Sequence, residues 1–199
     1  DLCYMDAEES TYAWIKQEMD SLGVPYDIIV GNHDNSTILA KAFGLEADLS
    51  EGVLFYKRTW ENWTCLFLDT AVKTLSNNQL EWLKAELTTI EGSNIMIFMH
   101  HPPLMMEVPF MDINHSLNNM EAVQEILLQD GRPIPIFSGH YHVEKTACKG
   151  NMMVQVTPSC FFQMGQQQEA FELDHYRIAY RIITLKPNEW RSSVHYLEG

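Results

Sequence analysis

The chain has 199 residues, 46% of them apolar and 20% charged, enough to bury a core and too apolar for a disordered segment. Asp and Glu outnumber Lys and Arg by 27 to 13, a formal charge of -14, which argues against a basic surface for nucleic-acid polymers. No apolar run reaches the roughly 18 residues of a membrane span, and no leader opens the chain. Cys3, Cys65, Cys148 and Cys160 are scattered, with no Cys-x-x-Cys pair, so the expected location is a reducing one, the cytoplasm.

The elements follow in chain order. Tyr12, Ile15, Met19 and Leu22 recur at helical spacing and predict a helix over Ala7 to Ser21, stopped by Gly23 and Pro25. Tyr26 to Val30 reads as a buried strand that delivers the turn Gly31-Asn32-His33-Asp34. A helix near Ser36 to Phe43 follows, then strands at Val53 to Lys57 and Thr64 to Leu68. Ser76-Asn77-Asn78 marks the start of a helix whose inner face is Leu80, Leu83 and Leu87. Asn94 to Met99 is a strand ending at His100-His101-Pro102-Pro103, and Met120 to Leu128 is a helix entered through Asn118-Asn119. Ile134 to Phe137 is a strand ending at Ser138-Gly139-His140-Tyr141-His142. Short strands then follow one another near Val143 to Cys148, Met152 to Thr157, Tyr176 to Leu185 and Arg191 to Tyr196. Alternating strands and helices before a strand-rich tail point to an α/β fold, and no linker or repeat divides residues 1–199 into two domains.

Three loops that directly follow predicted strands hold candidate metal ligands: Asn32 with His33 and Asp34, His100 with His101, and His140 with His142. In α/β sheets, loops at the strand ends converge on one cleft, so the three sets are expected to meet. Imidazole nitrogens with amide and carboxylate oxygens suit Mn, Fe or Zn. An extended His140-Tyr141-His142 would send both imidazoles to one side and Tyr141 to the other. His33 beside Asp34 is the pattern of a carboxylate orienting an imidazole for proton transfer.

Gly31-Asn32-His33-Asp34, His100-x-Pro102 and Gly139-His140-x-His142, in that order, resemble the calcineurin-like metallophosphoesterase superfamily. Asn78-Gln79-Leu80-Glu81-Trp82-Leu83, Ser116-Leu117-x-Asn119 and Thr157-Pro158-Ser159-x-x-Phe162-Gln163 are similar to the bacterial class III 3',5'-cyclic nucleotide phosphodiesterases within it. The resemblance implies a four-layer α/β/β/α sandwich of two mixed sheets, with two divalent or trivalent metal ions at the strand ends. By the same resemblance, Asn32, His100 and His140 bind the second metal, His142 binds the first, and Asp1 bridges both. His101 is the lesser candidate of its pair, because the family's histidine stands two residues before proline. The family's opening Asp-x-His block has no counterpart before Asp1, so the chain is read as an N-terminally truncated domain without its first strand and helix. Whether this piece is active alone stays open.

The implied reaction is hydrolysis of a small phosphodiester such as cyclic AMP, by in-line attack of a metal-bridging hydroxide with His33, oriented by Asp34, as general acid. Asn119 is read either as a substrate contact or as a helix N-cap. Met105, Met106, Phe110 and Phe161 are either core or an apolar wall for a base. The rival readings are a non-catalytic scaffold on the same fold and a phosphoesterase of other small diesters or monoesters. Homo-oligomerisation is left open.

Overall fold

The computed structural model describes residues 1–92 and 94–197. In chain order the elements are α1 (Glu9–Ser21), α2 (Ser36–Phe43), β1 (Leu49–Ser50), β2 (Val53–Leu54), β3 (Tyr56–Trp60), β4 (Trp63–Leu68), α3 (Asn77–Thr89), β5 (Ile95–Met99), α4 (Pro109–Asn114), α5 (Met120–Asp130), β6 (Ile134–Ser138), β7 (Lys145–Lys149), β8 (Met152–Val156), β9 (Gln163–Met164), β10 (Leu173–His175), β11 (Ala179–Lys186) and β12 (Glu189–Tyr196). Local signals set several boundaries. Asn35 caps α2 by accepting from Thr37 N and Ile38 N, and Gly44 closes it in the left-handed conformation. Ser76 caps α3 by accepting from Gln79 N.

A six-stranded mixed sheet runs in the order β3-β4-β5-β6-β8-β7. Its central strands β4, β5, β6 and β8 are parallel, and β3 and β7 flank them antiparallel. Side chains alternate across it as the pleat requires. Leu66, Leu68, Ile95, Ile97, Ile134 and Ile136 face one core with Leu83 and Leu87 of α3 and Val123 and Leu127 of α5. Cys65, Phe67, Met96 and Phe137 face another with Tyr12 of α1, Leu39 of α2, and Ile183, Leu185 and Trp190 of the β11–β12 hairpin. The layers are therefore helices, mixed sheet, and then a hairpin with the second pair of helices. Where a second mixed sheet was expected, the described residues hold this antiparallel hairpin. Tyr56, Phe67, Phe98 and Phe137 stack in sequence across adjacent strands, with centroid spacings of 4.7, 5.2 and 5.4 Å.

Tyr26 to Val30 is not a strand. The segment runs into the second core, with Ile28 and Val30 buried, but the hydroxyl of Tyr56 serves its backbone. Ile28 N–H donates to that oxygen at 3.0 Å, and the hydroxyl donates to Ile28 C=O at 2.6 Å. A side chain thus satisfies groups that a neighbouring strand would otherwise pair.

No helix is long and apolar enough to cross a membrane among the described residues.

Candidate metal centre

Because β4, β5, β6 and β8 are parallel, their C-terminal ends open on one edge of the sheet. They deliver Asp69 and Thr70, then His100 and His101, then Gly139 to His142, then Thr157 to Phe162. A cleft of about 1150 Å³ opens there, lined by Asp1, Asn32, His33, His100, His140 and His142. Ligating atoms of Asp1, His100 and His140 lie within 4.8 Å of one another. Asn32 and His142 line the same cleft.

Each side chain is placed by its surroundings. The Asp1 carboxylate accepts the His33 amide at 2.9 Å and approaches His100 Nε2 at 3.1 Å. Gly31 is required at this contact, since a β-carbon there would lie 2.0 Å from Asp1 Oδ1 and 2.7 Å from its Cγ. His140 Nε2 donates to the carbonyl of His115 at 3.0 Å, which leaves Nδ1 as the free ring nitrogen. His140 and His142 both have positive φ, 64° and 52°. The expectation of an extended His140-Tyr141-His142 is thereby corrected. Left-handed backbone turns both imidazoles into the cleft, a strained conformation that the loop's anchoring sustains. That anchor is Tyr141, fully buried and donating its hydroxyl to Asp112 at 2.9 Å.

The residues fit metal ions on two grounds. Asn32 Oδ1 and His142 Nδ1 are buried without a hydrogen-bond partner, as is Nε2 of His101, and His100 Nε2 faces only the Asp1 carboxylate, a cost that a bound cation would remove. Burial also holds the imidazoles neutral, as ligation requires: His142 is lowered to about 4, and His100 and His140 lie well below the ordinary imidazole value. Carboxylate, amide and imidazole donors are the set for Mn, Fe or Zn.

Two expectations are corrected. Asp34 does not orient His33, whose Nδ1 donates to the carbonyl of Met5 at 3.0 Å. The fully buried Asp34 carboxylate instead accepts from Leu2 N, Cys3 N, Gly31 N and the Tyr12 hydroxyl, tying the segment that carries Asp1 to the Gly31–Asp34 turn. Asn119 lies outside the cleft lining. Its amide spans Leu75, accepting from the N–H at 3.0 Å and donating to the C=O at 2.9 Å, so its polar atoms are engaged there and it does not cap α5 through its side chain. Of the proposed apolar wall, Met106 is core and Met105 is exposed outside the cleft, whereas Phe110 and Phe161 line it.

His101, the lesser candidate, is fully buried with Nδ1 2.8 Å from the Thr70 hydroxyl. Sequence reasoning missed several residues of the lining. His115 accepts from Lys73 Nζ at 3.2 Å through Nδ1, and Cys3, Cys160, Phe162 and Arg181 also face the cleft. Local signals existed for two of them: His115 stands directly before the Ser116-Leu117 block, and Phe162 lies within the Thr157 to Gln163 block.

No family model matches the chain. A protein of Fibrobacter succinogenes named a probable cyclic nucleotide phosphodiesterase is 33% identical over 191 residues, covering 96% of this chain and 74% of the relative. The chain belongs to this cyclic nucleotide phosphodiesterase family of metallophosphoesterases. Another relative, a probable glycerophosphodiester phosphodiesterase of Arcobacter nitrofigilis, is 26% identical over 161 residues, 77% of this chain and 59% of its own length. Among solved structures, a dimetal phosphatase of Danio rerio shares the fold at a TM-score of 0.63 and 15% identity, over 88% of this chain and 73% of that one. Membership of this phosphodiesterase family, shown by the 33% identical relative, places the chain among enzymes of metal-dependent phosphoester hydrolysis, and the structural likeness agrees on the fold.

Proposed function

We propose that this metallophosphoesterase hydrolyses small phosphodiesters, 3',5'-cyclic nucleotides foremost, with Asp1, Asn32, His100, His140 and His142 holding two metal ions. The observation that carries the reading is the convergence of Asp1, His100 and His140 within 4.8 Å at the parallel strand ends. The names of the relatives support the substrate class. Bound ions supply an ionised water at neutral pH and neutralise phosphoryl oxygens.

The chain's own residues do the rest. The carbonyl of Met5 fixes the proton of His33 on Nδ1 and leaves Nε2 for the cleft. Once protonated, that Nε2–H donates to the departing ribose oxygen as the P–O bond breaks, a step a poor leaving group needs. The carbonyl of His115 holds the His140 ring with Nδ1 free. Lys73 and Arg181 line the cleft with neutral acceptors and, among the described residues, no carboxylate partner, so their charge draws an anion inward. The overall charge of -14 favours a small diester over a polymer. Four free thiols, two of them exposed, support action in a reducing cytoplasm.

The test is metal content and hydrolysis together. The manganese-reconstituted protein is expected to bind two ions per chain and to convert cyclic AMP to AMP. Two ions without hydrolysis of any phosphodiester would favour the non-catalytic scaffold.

A further inference from the structure

Beyond the imidazoles, Tyr4, Phe110, Phe161 and Phe162 line the cleft, and Phe171 packs on two of them from outside the lining. Phe162 meets His142 edge to face at 4.5 Å. Phe161 meets Phe162 at 5.2 Å and Tyr4 at 5.8 Å, and Phe171 meets Phe162 at 6.1 Å and Phe110 at 5.7 Å, all T-shaped. Each T-shaped contact covers one face of one partner and leaves the other faces open. Phe161 is 53% exposed and Phe171 52%. Single exposed apolar side chains are ordinary, but a contiguous aromatic patch beside a cluster of buried imidazoles is not.

The patch is held in place. Gln163, 3% exposed, accepts from Ser159 N at 3.1 Å and donates to the carbonyls of Ser159 and Arg177 at 2.7 and 3.0 Å. The Phe161 amide donates to Ser159 Oγ at 3.0 Å. A hydrogen-bonded loop thus presents Phe161 to solvent, so little ordering is needed when a guest covers it.

Resting on the reading of the cleft as a phosphodiester site, we infer that Phe161, backed by Phe162, is the stacking platform for the base of a nucleotide whose phosphate lies at the imidazole end. The platform begins one ring away from His142, and in a nucleotide a single sugar separates base from phosphate. Two other guests fit less well. A glycerol moiety has no π face to stack. A quaternary ammonium seeks aromatic rings as well, but Lys73 and Arg181 line this cleft, and among the described residues its one lining carboxylate, Asp1, belongs to the metal group. Phe161 is therefore a specificity residue that separates nucleotides from glycerophosphodiesters.

The experiment is calorimetric binding of AMP, phosphocholine, glycerol 3-phosphate and inorganic phosphate to the manganese-loaded protein and to Phe161→Ala and Phe161→Trp. Phe161→Ala should weaken AMP about tenfold or more, the scale of one base–aromatic stack. It should leave inorganic phosphate and glycerol 3-phosphate unchanged, and Phe161→Trp should restore AMP. AMP binding untouched by Phe161→Ala, or phosphocholine weakened as much as AMP, would overturn the base platform while the phosphodiester reading stands. Failure of the wild-type protein to bind any of the four would overturn both.

Discussion

His33 Nδ1 lies 3.0 Å from the carbonyl oxygen of Met5, while the neighbouring Asp34 carboxylate is turned away onto the amides of Leu2, Cys3 and Gly31. Two residues adjacent in sequence thus serve separate ends, one facing the cleft and the other building its floor.

If His33 is the general acid, its loss is felt where the leaving group needs a proton. His33→Ala should lower cyclic AMP hydrolysis by about 100-fold or more, the low end for acid–base catalysis, and bis(p-nitrophenyl) phosphate hydrolysis by much less. Steady-state rates on both substrates check this, and equal losses would sink the acid role.

Asp34→Asn tests the structural role. An amide offers a donor where three backbone N–H groups and a hydroxyl also donate, so about 1–3 kcal/mol of stability should be lost in denaturant unfolding. Activity should fall through displacement of Asp1, without a shift in the acid limb of the pH–rate profile. A shifted limb would return Asp34 to the role of orienting His33.

Gly31→Ala places a β-carbon 2.0 Å from Asp1 Oδ1, forcing the carboxylate off its position. Metal affinity should drop by roughly 10- to 100-fold, the range seen when ligand positioning is disturbed, while circular dichroism keeps the α/β signature. Isothermal titration with manganese reads the first quantity. An unchanged affinity would remove Asp1 from the ligand set.

The metal-free protein should be acid-labile over a defined window. Burial lowers His101 to about 3 and His142 to about 4, and holds His100 and His140 well below the ordinary value. Their folded-state pKa values lie below the unfolded value of about 6.5, so the unfolded chain binds more protons as pH falls. The stability from keeping these rings neutral is complete above about pH 6.5 and is lost progressively from there down through about 3 and below. Melting temperature should be level above that point and decline below it, more gently in His101→Gln. A level Tm between pH 7.5 and 5 would contradict the burial argument.

Metal ions that bind only the folded chain should raise its Tm, since binding at 100 times Kd is worth about 2.7 kcal/mol. Chelation should reverse the rise. A chain carrying Asn32→Ala and His140→Ala should show neither the rise nor bound metal, and a rise that survives both changes would place the ions elsewhere.

Much of this protein was legible in its residues. The strands ending at Met99 and Ser138 each precede a polar, imidazole-bearing turn, and parallel strands bring such turns to one edge, so the meeting of His100 and His140 could be expected from order and spacing, whereas only the family resemblance joined Asp1 to them. Helix α2 falls at its predicted bounds because Asn35 and Gly44 act locally. Three features depended on contacts distant in sequence. The Tyr56 hydroxyl took over the backbone of Ile28. Asp34 found four donors better than one imidazole, and the Asn119 amide found both backbone groups of Leu75. Spacing and chemistry determined which residue types meet at the strand ends. Tertiary structure decided what each polar group bonds, because a buried donor or acceptor takes the partner that the packed chain brings within about 3 Å, wherever in the sequence that partner lies.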